Sequence, residues 1–395
     1  MRTRVTHLFK EFLASEQSSG IILIVATLVS LLIANSGFGS AYADFWHTKV
    51  GTNAYGLYLN HSVEHWVNDA LMAIFFLLIG LEVEREIYIG ELSNLRNALL
   101  PIFAAIGGML IPAGLHYWFN AGTPTQGGFG IPMATDIAFA LGVLALLGDR
   151  VPMSLKIFLT ALAIIDDLGA ILIIALFYVG DFSALHFGLS MGIFALLLVF
   201  NRMGITRLWF YFIPGILMWY FMLRSGVHAT LAGVLLAFAI PFGNGDKNSP
   251  SYHLQHLLHK PVAFIIMPIF ALANTGIMLS GNWFDGLSSD NSLGIMSGLI
   301  LGKPVGVVLM AWIAIALGIS KLPPSVTWRH IIGSGFLAGI GFTMSIFITL
   351  LAFADPAVVQ MSKITVLLSS LIAGILGFVI LRTAPKVVED VIEEV

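Results

Sequence analysis

Two adjacent acids, Asp166 and Asp167, stand in the middle of an apolar stretch that is long enough to cross a lipid bilayer. An ionised carboxylate at that depth is costly unless it is protonated, paired or bound to a cation. Two neighbouring carboxylates also disfavour each other's ionisation. On a helix they point about 100° apart, so they do not face one another, but both can border one cavity. The pair predicts a site where a hard cation such as sodium competes with protons.

The amino-acid composition is that of a membrane protein. Of its 395 residues 58% are hydrophobic and only 10% are charged, and the mean hydropathy is +0.92, whereas soluble domains are about 25% charged. Long unbroken apolar runs predict helices rather than the strands of a barrel. The absence of cysteine excludes disulfides and thiolate metal sites. We expect an all-α membrane protein without a cofactor or a nucleic-acid partner.

The apolar runs predict twelve transmembrane helices in a single transporter domain that covers residues 1–395. A polar stretch at about 45–60, with alternation and glycines, predicts a small extramembrane β-hairpin between the first two spans. The alternative for the first apolar run is a cleaved signal peptide. The predicted spans are at about 16–34, 62–84, 98–119, 125–146, 155–179, 185–201, 208–222, 226–241, 260–280, 292–317, 330–353 and 361–383.

The positions of Lys and Arg predict the orientation. With the N-terminus inside, fifteen of the nineteen Lys and Arg residues fall on inside segments, three fall outside, and Lys303 lies within a span. A misplaced span would reverse this bias from that point onward. We therefore expect an even number of spans and both termini in the cytoplasm.

Four charged residues lie deep in predicted spans: Asp136, Asp166, Asp167 and Lys303. If all ionise, the group is doubly negative and suits one cation or two protons. The alternative is a structural ion pair between Lys303 and one aspartate, which is weak evidence for stability and leaves two acids unexplained. We favour a functional interpretation because ionisable residues inside membranes usually take part in transport.

A helix interruption is predicted near Pro132. Proline removes an amide donor and disturbs the preceding turn. Thr135 and Asp136 are placed to bond the amides that such a break frees, and a carboxylate is stabilised at a helix N-terminus. The alternative is a kinked helix with a capping acid.

A second interruption is predicted at Gly339 and Gly341, in a glycine-rich stretch near the other end of the chain. The alternative is close helix packing through small residues. Interrupted spans in matching positions of two halves point to a transporter's binding site. Residues 98–179 and 292–383 are then candidate inverted repeats, although no residue-level repeat is visible.

Four segments together resemble the NhaA family of bacterial sodium/proton antiporters: residues 134–148, 163–171, 302–304 and 339–347. The resemblance extends from about Ser19 to Arg382. It implies twelve helices with inverted-topology repeats and two crossed, interrupted helices. It also implies electrogenic exchange of sodium or lithium for protons at alkaline pH, in the lipid of the bacterial inner membrane. The resemblance further implies a homodimer with the periplasmic hairpin at its interface.

The resemblance also implies roles for the buried residues. Asp166 and Asp167 match the acids that bind the cation, here sodium, and carry protons. Asp136 matches the acid that balances the facing helix ends, and Thr135 matches the polar neighbour of the site. Lys303 matches the lysine that pairs with an aspartate when sodium is absent.

Further positions match the ion route and the pH response of the family. Asp69, Glu82 and Arg85 match polar positions along the ion route and its cytoplasmic funnel. His228 matches a pH-response histidine, and histidine is the usual side chain for switching near neutral pH. The alternative for His228 is a hydrogen-bonded interior histidine.

A histidine repeat follows in the loop region of the second half. His253, His256 and His259 recur every three residues, which suits a pH element, with His256 as the candidate, or a metal site. A solvated helix face is the alternative. Family members commonly have a glutamate where this chain has Gln255, so the pH profile is expected to differ.

Two other functions fit parts of the sequence. A sodium-coupled symporter for an organic solute needs a roomier polar cavity than the aliphatic surroundings of Asp166 and Asp167 predict. An intramembrane aspartyl protease could use Asp136 with Asp166, but the typical glycine–aspartate motif is missing. We therefore favour an antiporter, which is not an enzyme.

Overall fold

The computed structural model describes residues 2–53, 58–279 and 283–385, and most of them are helical. The α-helices, in chain order, are α1 Arg2–Ala34, α2 Gly39–His47, α3 Val63–Trp66, α4 Met72–Tyr88, α5 Leu95–Phe119, α6 Ile137–Leu146, α7 Met153–Phe177, α8 Ala184–Arg202, α9 Trp209–Arg224, α10 Leu231–Ala239, α11 Pro250–Pro261, α12 Met267–Asn274, α13 Asp290–Ser297, α14 Lys303–Ala316, α15 Trp328–Ala338, α16 Phe342–Ala352 and α17 Pro356–Thr383.

Many of these helices suit a bilayer, so the chain is a multi-pass membrane protein. Eight helical segments are long and apolar enough to cross a membrane, and the number rises to ten if each of two bent helix pairs counts as one span. The helices α9 and α10 have 16 and 9 residues, fewer than the roughly 20 that a crossing needs. Length and composition therefore identify fewer spans than the twelve predicted.

Three of the long helical segments contain a π-helical turn, at Val67–Leu71, Val262–Ile266 and Gly298–Gly302. The second and third turns lead directly into Pro268 and Pro304. Proline has no amide hydrogen to donate four residues back, so a wider turn relieves the helix there. The third turn ends immediately before Lys303.

The predicted hairpin between the first two apolar segments is present. Strand β1, Lys49–Val50, pairs antiparallel with β2, His61–Ser62. The indole of Trp66 donates to the carbonyl of Val50 at 2.9 Å and ties the hairpin to the next helix. Residues 54–57, which lie between the two strands in sequence, are outside the described residues.

The chain divides into two compact units, each assembled from distant segments. The first unit comprises Met1–Ile21, Glu91–Ala170 and Asn282–Val395, and the second comprises Ile22–Gly90 and Ile171–Gly281. In the second unit, α4 packs against α10 and α8 packs against α9. In the first unit, α5 packs against α14 and α15 packs against α17.

The contact of α5 with α14 depends on two facing glycines. A Cβ atom added at Gly107 would meet the carbonyl of Gly306, and one added at Gly306 would meet the carbonyl of Gly107. The backbones therefore pass at a distance that only glycine permits, as is common where membrane helices associate. This contact fixes α14, which carries Lys303, against α5.

Gly107→Ala should lower protein stability by about 1–3 kcal/mol, because backbone atoms rather than flexible side chains occupy the space for the new methyl group. Gly114→Ala, on the exposed face of the same helix with nothing near its added Cβ, is the matched control and should melt at or above the wild-type temperature. Thermal unfolding in detergent measures both. Equal melting of the two variants would contradict the close-packing account.

Candidate ion-binding site

The first interrupted span lies in the first unit, at residues 134–136. A 3-10 segment, Gln126–Met133, precedes the interruption and α6 follows it. Ala134 has extended backbone angles, φ −78° and ψ 147°, so the helical hydrogen-bond ladder stops there. The interruption therefore begins two residues after Pro132, in the region where the sequence predicted it.

The second interrupted span is formed by α15 and α16, which meet at an angle of 43°. Gly339 and Gly341 lie in the three residues between them. A Cβ atom added at Gly341 would lie 3.1 Å from the carbonyl oxygen of Ala134, and one at Gly339 would meet the carbonyl of Leu299. The glycines thus allow other backbone segments to approach this interruption closely.

Hydrogen bonds join the two interruptions. The amide of Asp136 donates to the carbonyl of Ile340 at 2.6 Å, and the Thr135 hydroxyl lies 2.8 Å from the carbonyl oxygen of Ala338. Ser345 Oγ donates to the carbonyl of Ile131 at 2.6 Å. Each span therefore satisfies peptide groups that the break in the other leaves without a helical partner, as burial in lipid requires.

One carboxylate caps the helices on both sides of this contact. Asp136 is 2% exposed, and its Oδ1 accepts from the amide of Phe139 in the first turn of α6 at 3.1 Å. Its Oδ2 accepts from the amide of Thr343 at 3.0 Å and from the Thr343 hydroxyl. A single negative charge thus faces the positive ends of α6 and α16.

A second buried carboxylate, that of Asp166, is paired with a lysine. Asp166 and Lys303 have no exposed surface, and Lys303 Nζ donates to Asp166 Oδ2. The Thr135 hydroxyl donates to the same oxygen at 2.6 Å. Asp166 Oδ1 is buried and has no hydrogen-bond partner among the described residues. This oxygen is a ligand position that the protein leaves unused.

Asp167 follows Asp166 on α7 and is 3% exposed. It interacts electrostatically with Lys303, so one buried cation lies beside two acids. The elements that position this cluster are α7, the start of α14 after its π turn, and the interruption that carries Thr135. The structure therefore brings together all five residues that the sequence placed at the site.

The predicted ion-route residues lie in the second unit. Asp69 belongs to the π turn Val67–Leu71, and its Oδ2 lies 2.9 Å from Nε2 of His65. The ring of His65 stacks on that of His61 with centroids 4.2 Å apart. Partial burial and the neighbouring His65 lower the pKa of His61. Sequence reasoning missed His65, although its spacing of four residues from Asp69 on a helix indicates contact.

Glu82 and Arg85 lie together near the end of α4. Glu82 hydrogen-bonds with the side chain of Gln255 and interacts with the charge of Arg85, which is exposed. His259 Nδ1 is 4.0 Å from Glu82 Oε1. The histidine repeat of α11 therefore reaches Glu82 through His259.

The two predicted pH-response histidines differ in environment. His228, between α9 and α10, has a buried Nε2 without a hydrogen-bond partner in the described part of the chain. His256 is exposed, and its ring lies 4.3 Å from that of Tyr252. Among the described residues, no three His, Asp or Glu side chains are grouped as a metal site would need.

The comparisons with known proteins identify the family. The family model described as Na+/H+ antiporter 1 matches residues 10–381. A Na(+)/H(+) antiporter NhaA from Flavobacterium psychrophilum is 59% identical over 383 residues, which cover 97% of this chain and 98% of the relative. Proteins of the same name from Cytophaga hutchinsonii and Dechloromonas aromatica are 57% and 59% identical, over 97% and 95% of this chain and 97% and 96% of those relatives.

The chain belongs to the NhaA family of sodium/proton antiporters. The family predicted from the four segments is therefore confirmed. Every site residue discussed above lies inside the matched range. Thr343 also lies there, and it was not predicted to contribute to the site. A hydroxyl residue two positions after a glycine in an interrupted span is the signal that points to it.

The Asp166–Lys303 pair predicts a strong energetic coupling. Removing either partner alone should cost about 3–5 kcal/mol, because the other charge then stays buried without its partner. The double variant Asp166→Asn/Lys303→Met should lose clearly less stability than the sum of the single changes. Thermal unfolding in detergent completes the double-mutant cycle.

The control cycle combines Lys303→Met with Asp136→Asn, whose carboxylate bonds Thr343 and Phe139 instead. Those two changes should couple more weakly than the Asp166 pair, since among the described residues no hydrogen bond joins Asp136 to Lys303. Additive losses in the Asp166 cycle would show that the pair is not the interaction described.

Proposed function

We propose that the chain exchanges sodium for protons by competition at Asp166 and Asp167. The observation that carries the proposal is the buried cluster of two acids and one lysine in a member of a sodium/proton antiporter family. A site that binds either sodium or protons, but not both at once, couples the transport of the two ions by this competition alone. Transport, rather than catalysis, is then the activity of the chain.

The proposed competition begins at the Lys303 ammonium. In the structure this cation bonds Asp166 Oδ2, so an ion that binds this oxygen must displace it. An entering sodium ion would take carboxylate oxygens of Asp166, Oδ1 among them, and of Asp167, with the Thr135 hydroxyl as a further ligand, since oxygen ligands suit hard cations. The ammonium then gives way, and the lysine or the acids release protons.

We propose that this exchange is electrogenic. The four buried charged residues carry a net charge of minus two when all are ionised. Two protons neutralise this charge completely, whereas one sodium ion leaves a net charge of minus one. More protons entering than sodium ions leaving then moves net charge. Lithium, another small hard cation, should replace sodium. Access alternates between the two sides as one group of helices moves around the site.

The finer architecture is also proposed. Residues 98–179 and 292–383 are candidate inverted repeats of a twelve-helix, single-domain transporter. Most of both segments falls in the first unit, and each contains one of the two interrupted spans, which we propose cross at the site. We propose a homodimer in the lipid of the bacterial inner membrane, with the hairpin periplasmic and both termini cytoplasmic.

Residues of the second unit would serve access and regulation. We propose that Asp69, Glu82 and Arg85 line the ion route, and that His228 and His256 contribute to activation at alkaline pH. Gln255 hydrogen-bonds Glu82 and adds no titrating acid there. The pH profile of this chain therefore depends on its histidines more than that of relatives with a glutamate at the position.

Asp166→Asn and Asp167→Asn should each abolish sodium-driven proton movement, because neither variant keeps both exchangeable carboxylates. A pH-sensitive dye in everted vesicles measures the exchange. Asp285→Asn, which changes an exposed acid outside the predicted spans, should exchange at the wild-type rate. Normal exchange by either of the first two variants would refute the shared-site proposal.

The cation series tests the proposed substrate. Sodium and lithium should each collapse the proton gradient in wild-type vesicles, with rates that rise with pH as histidines lose their protons. Potassium should give little exchange. Equal responses to all three cations would contradict a site of a few oxygens in a buried cluster.

A further inference from the structure

His330 occupies the third position of α15, the first half of an interrupted span, and has no exposed surface. Its Nδ1 accepts a hydrogen bond from the backbone amide of Thr327 at 3.0 Å. The Thr327 hydroxyl lies 2.9 Å from the same nitrogen. Thr327 is the N-cap residue of α15, so the imidazole holds the residue from which the helix starts.

This contact requires a neutral ring. A backbone amide only donates, so Nδ1 must keep its lone pair and the ring hydrogen must sit on Nε2. Nε2 is buried and has no hydrogen-bond partner among the described residues. A second proton would go to Nδ1, where the Thr327 hydroxyl could accept it but the Thr327 amide would lose its acceptor.

The charges on the helices around α15 do not favour a protonated ring. The helix packs against α6, α14 and α17. The described charged residues on α14, α15 and α17 are all cations: Lys303, Arg329, Lys363 and Arg382. Acids do adjoin these helices, but away from the start of α15. Asp136 caps α6 at the opposite end of α15, and Asp355 lies at the far end of α17. Asp166 and Asp167 interact with Lys303, and Asp166 also bonds Thr135, which contacts the last residue of α15. The side chain of Asp149 lies outside the described residues.

The position of α15 matters because its other end touches the candidate site. The helix has 11 residues, which form a rod of about 16 Å. At its end, the carbonyl of Ala338 bonds Thr135, and that of Ile340, just beyond it, bonds Asp136. Whatever loosens the start of this rod therefore disturbs the contact between the two interruptions.

We infer that His330 is a positioning residue: its neutral ring holds the start of α15 and so keeps the interrupted spans in register at the ion-binding site. In acid, protonation of the ring leaves the Thr327 amide unbonded. It also places a positive charge at the positive end of a helix. Alkaline pH restores the cap. An exposed histidine titrates at a pKa of about 6.5, so release of the cap is favoured progressively below that pH.

The effect of His330 on transport rests on the proposed antiport, whereas the contact between His330 and Thr327 is independent of that proposal. The decisive variant is His330→Gln, because Thr-x-x-Gln retains the reciprocal cap and glutamine does not titrate. His330→Ala removes the acceptor at every pH. His186→Gln is the matched control: His186 bonds the Ser183 hydroxyl at the start of α8, a contact that a hydroxyl makes with either ring state.

In everted vesicles, the ratio of sodium-driven exchange at pH 6 to that at pH 8 should rise about threefold in His330→Gln, because a histidine ring released from the cap is mostly protonated at pH 6, and this protonation favours the released state in the wild type only. His330→Ala should be slower at both pH values, and the glutamine variant should recover the alkaline rate. His186→Gln should keep the wild-type profile. Superimposable profiles for wild type and His330→Gln would overturn the inference.

Hydrogen exchange separates this inference from the proposed function. Amides at the start of α15 should lose protection below about pH 6.5 in the wild type, after correction for intrinsic rates, and keep it in His330→Gln. Protection that is equal and independent of pH in both proteins would overturn the role of His330, whatever the transport assays give. A wild type that shows no exchange of sodium for protons would refute the proposed function alone.

Discussion

Charged and polar groups that are buried in a membrane protein must find partners within the protein, and this constraint shapes the first unit. Each interrupted span leaves amides and carbonyls that water cannot reach. The two interruptions satisfy one another through the backbone of Asp136 and the hydroxyls of Thr135 and Ser345. The carboxylate of Asp136 closes the arrangement by capping two helices.

The same constraint separates a structural carboxylate, that of Asp136, from one that can exchange its bound ion, that of Asp166. Each carboxylate oxygen of Asp136 accepts hydrogen bonds from the protein, one from Phe139 and the other from Thr343. Asp166 differs, because Lys303 and Thr135 share one oxygen while the other has no hydrogen-bond partner among the described residues. A buried ion pair adds little to stability by comparison with apolar packing. An ion pair that leaves one carboxylate oxygen available suits an ion that binds reversibly.

Sequence reasoning identified the buried charges because charged residues are rare within long apolar segments. It located both interruptions from Pro132 and from the glycines near Gly341. It did not choose which aspartate Lys303 would bond, because that depends on how α14 packs against α7. It missed Thr343 and His330, whose roles arise only when a second helix start or a cap residue lies beside them. The number of spans was harder, since α9 and α10 are shorter than a bilayer crossing requires.

The central claim is that sodium displaces protons from one buried cluster. Calorimetric titration of the purified protein with sodium, in two buffers of different ionisation enthalpy, measures this directly, because the difference in heat gives the number of protons released. The account predicts that binding releases protons into the buffer and weakens as the pH falls. Sodium binding with the same heat in both buffers, and with an affinity independent of pH, would contradict it.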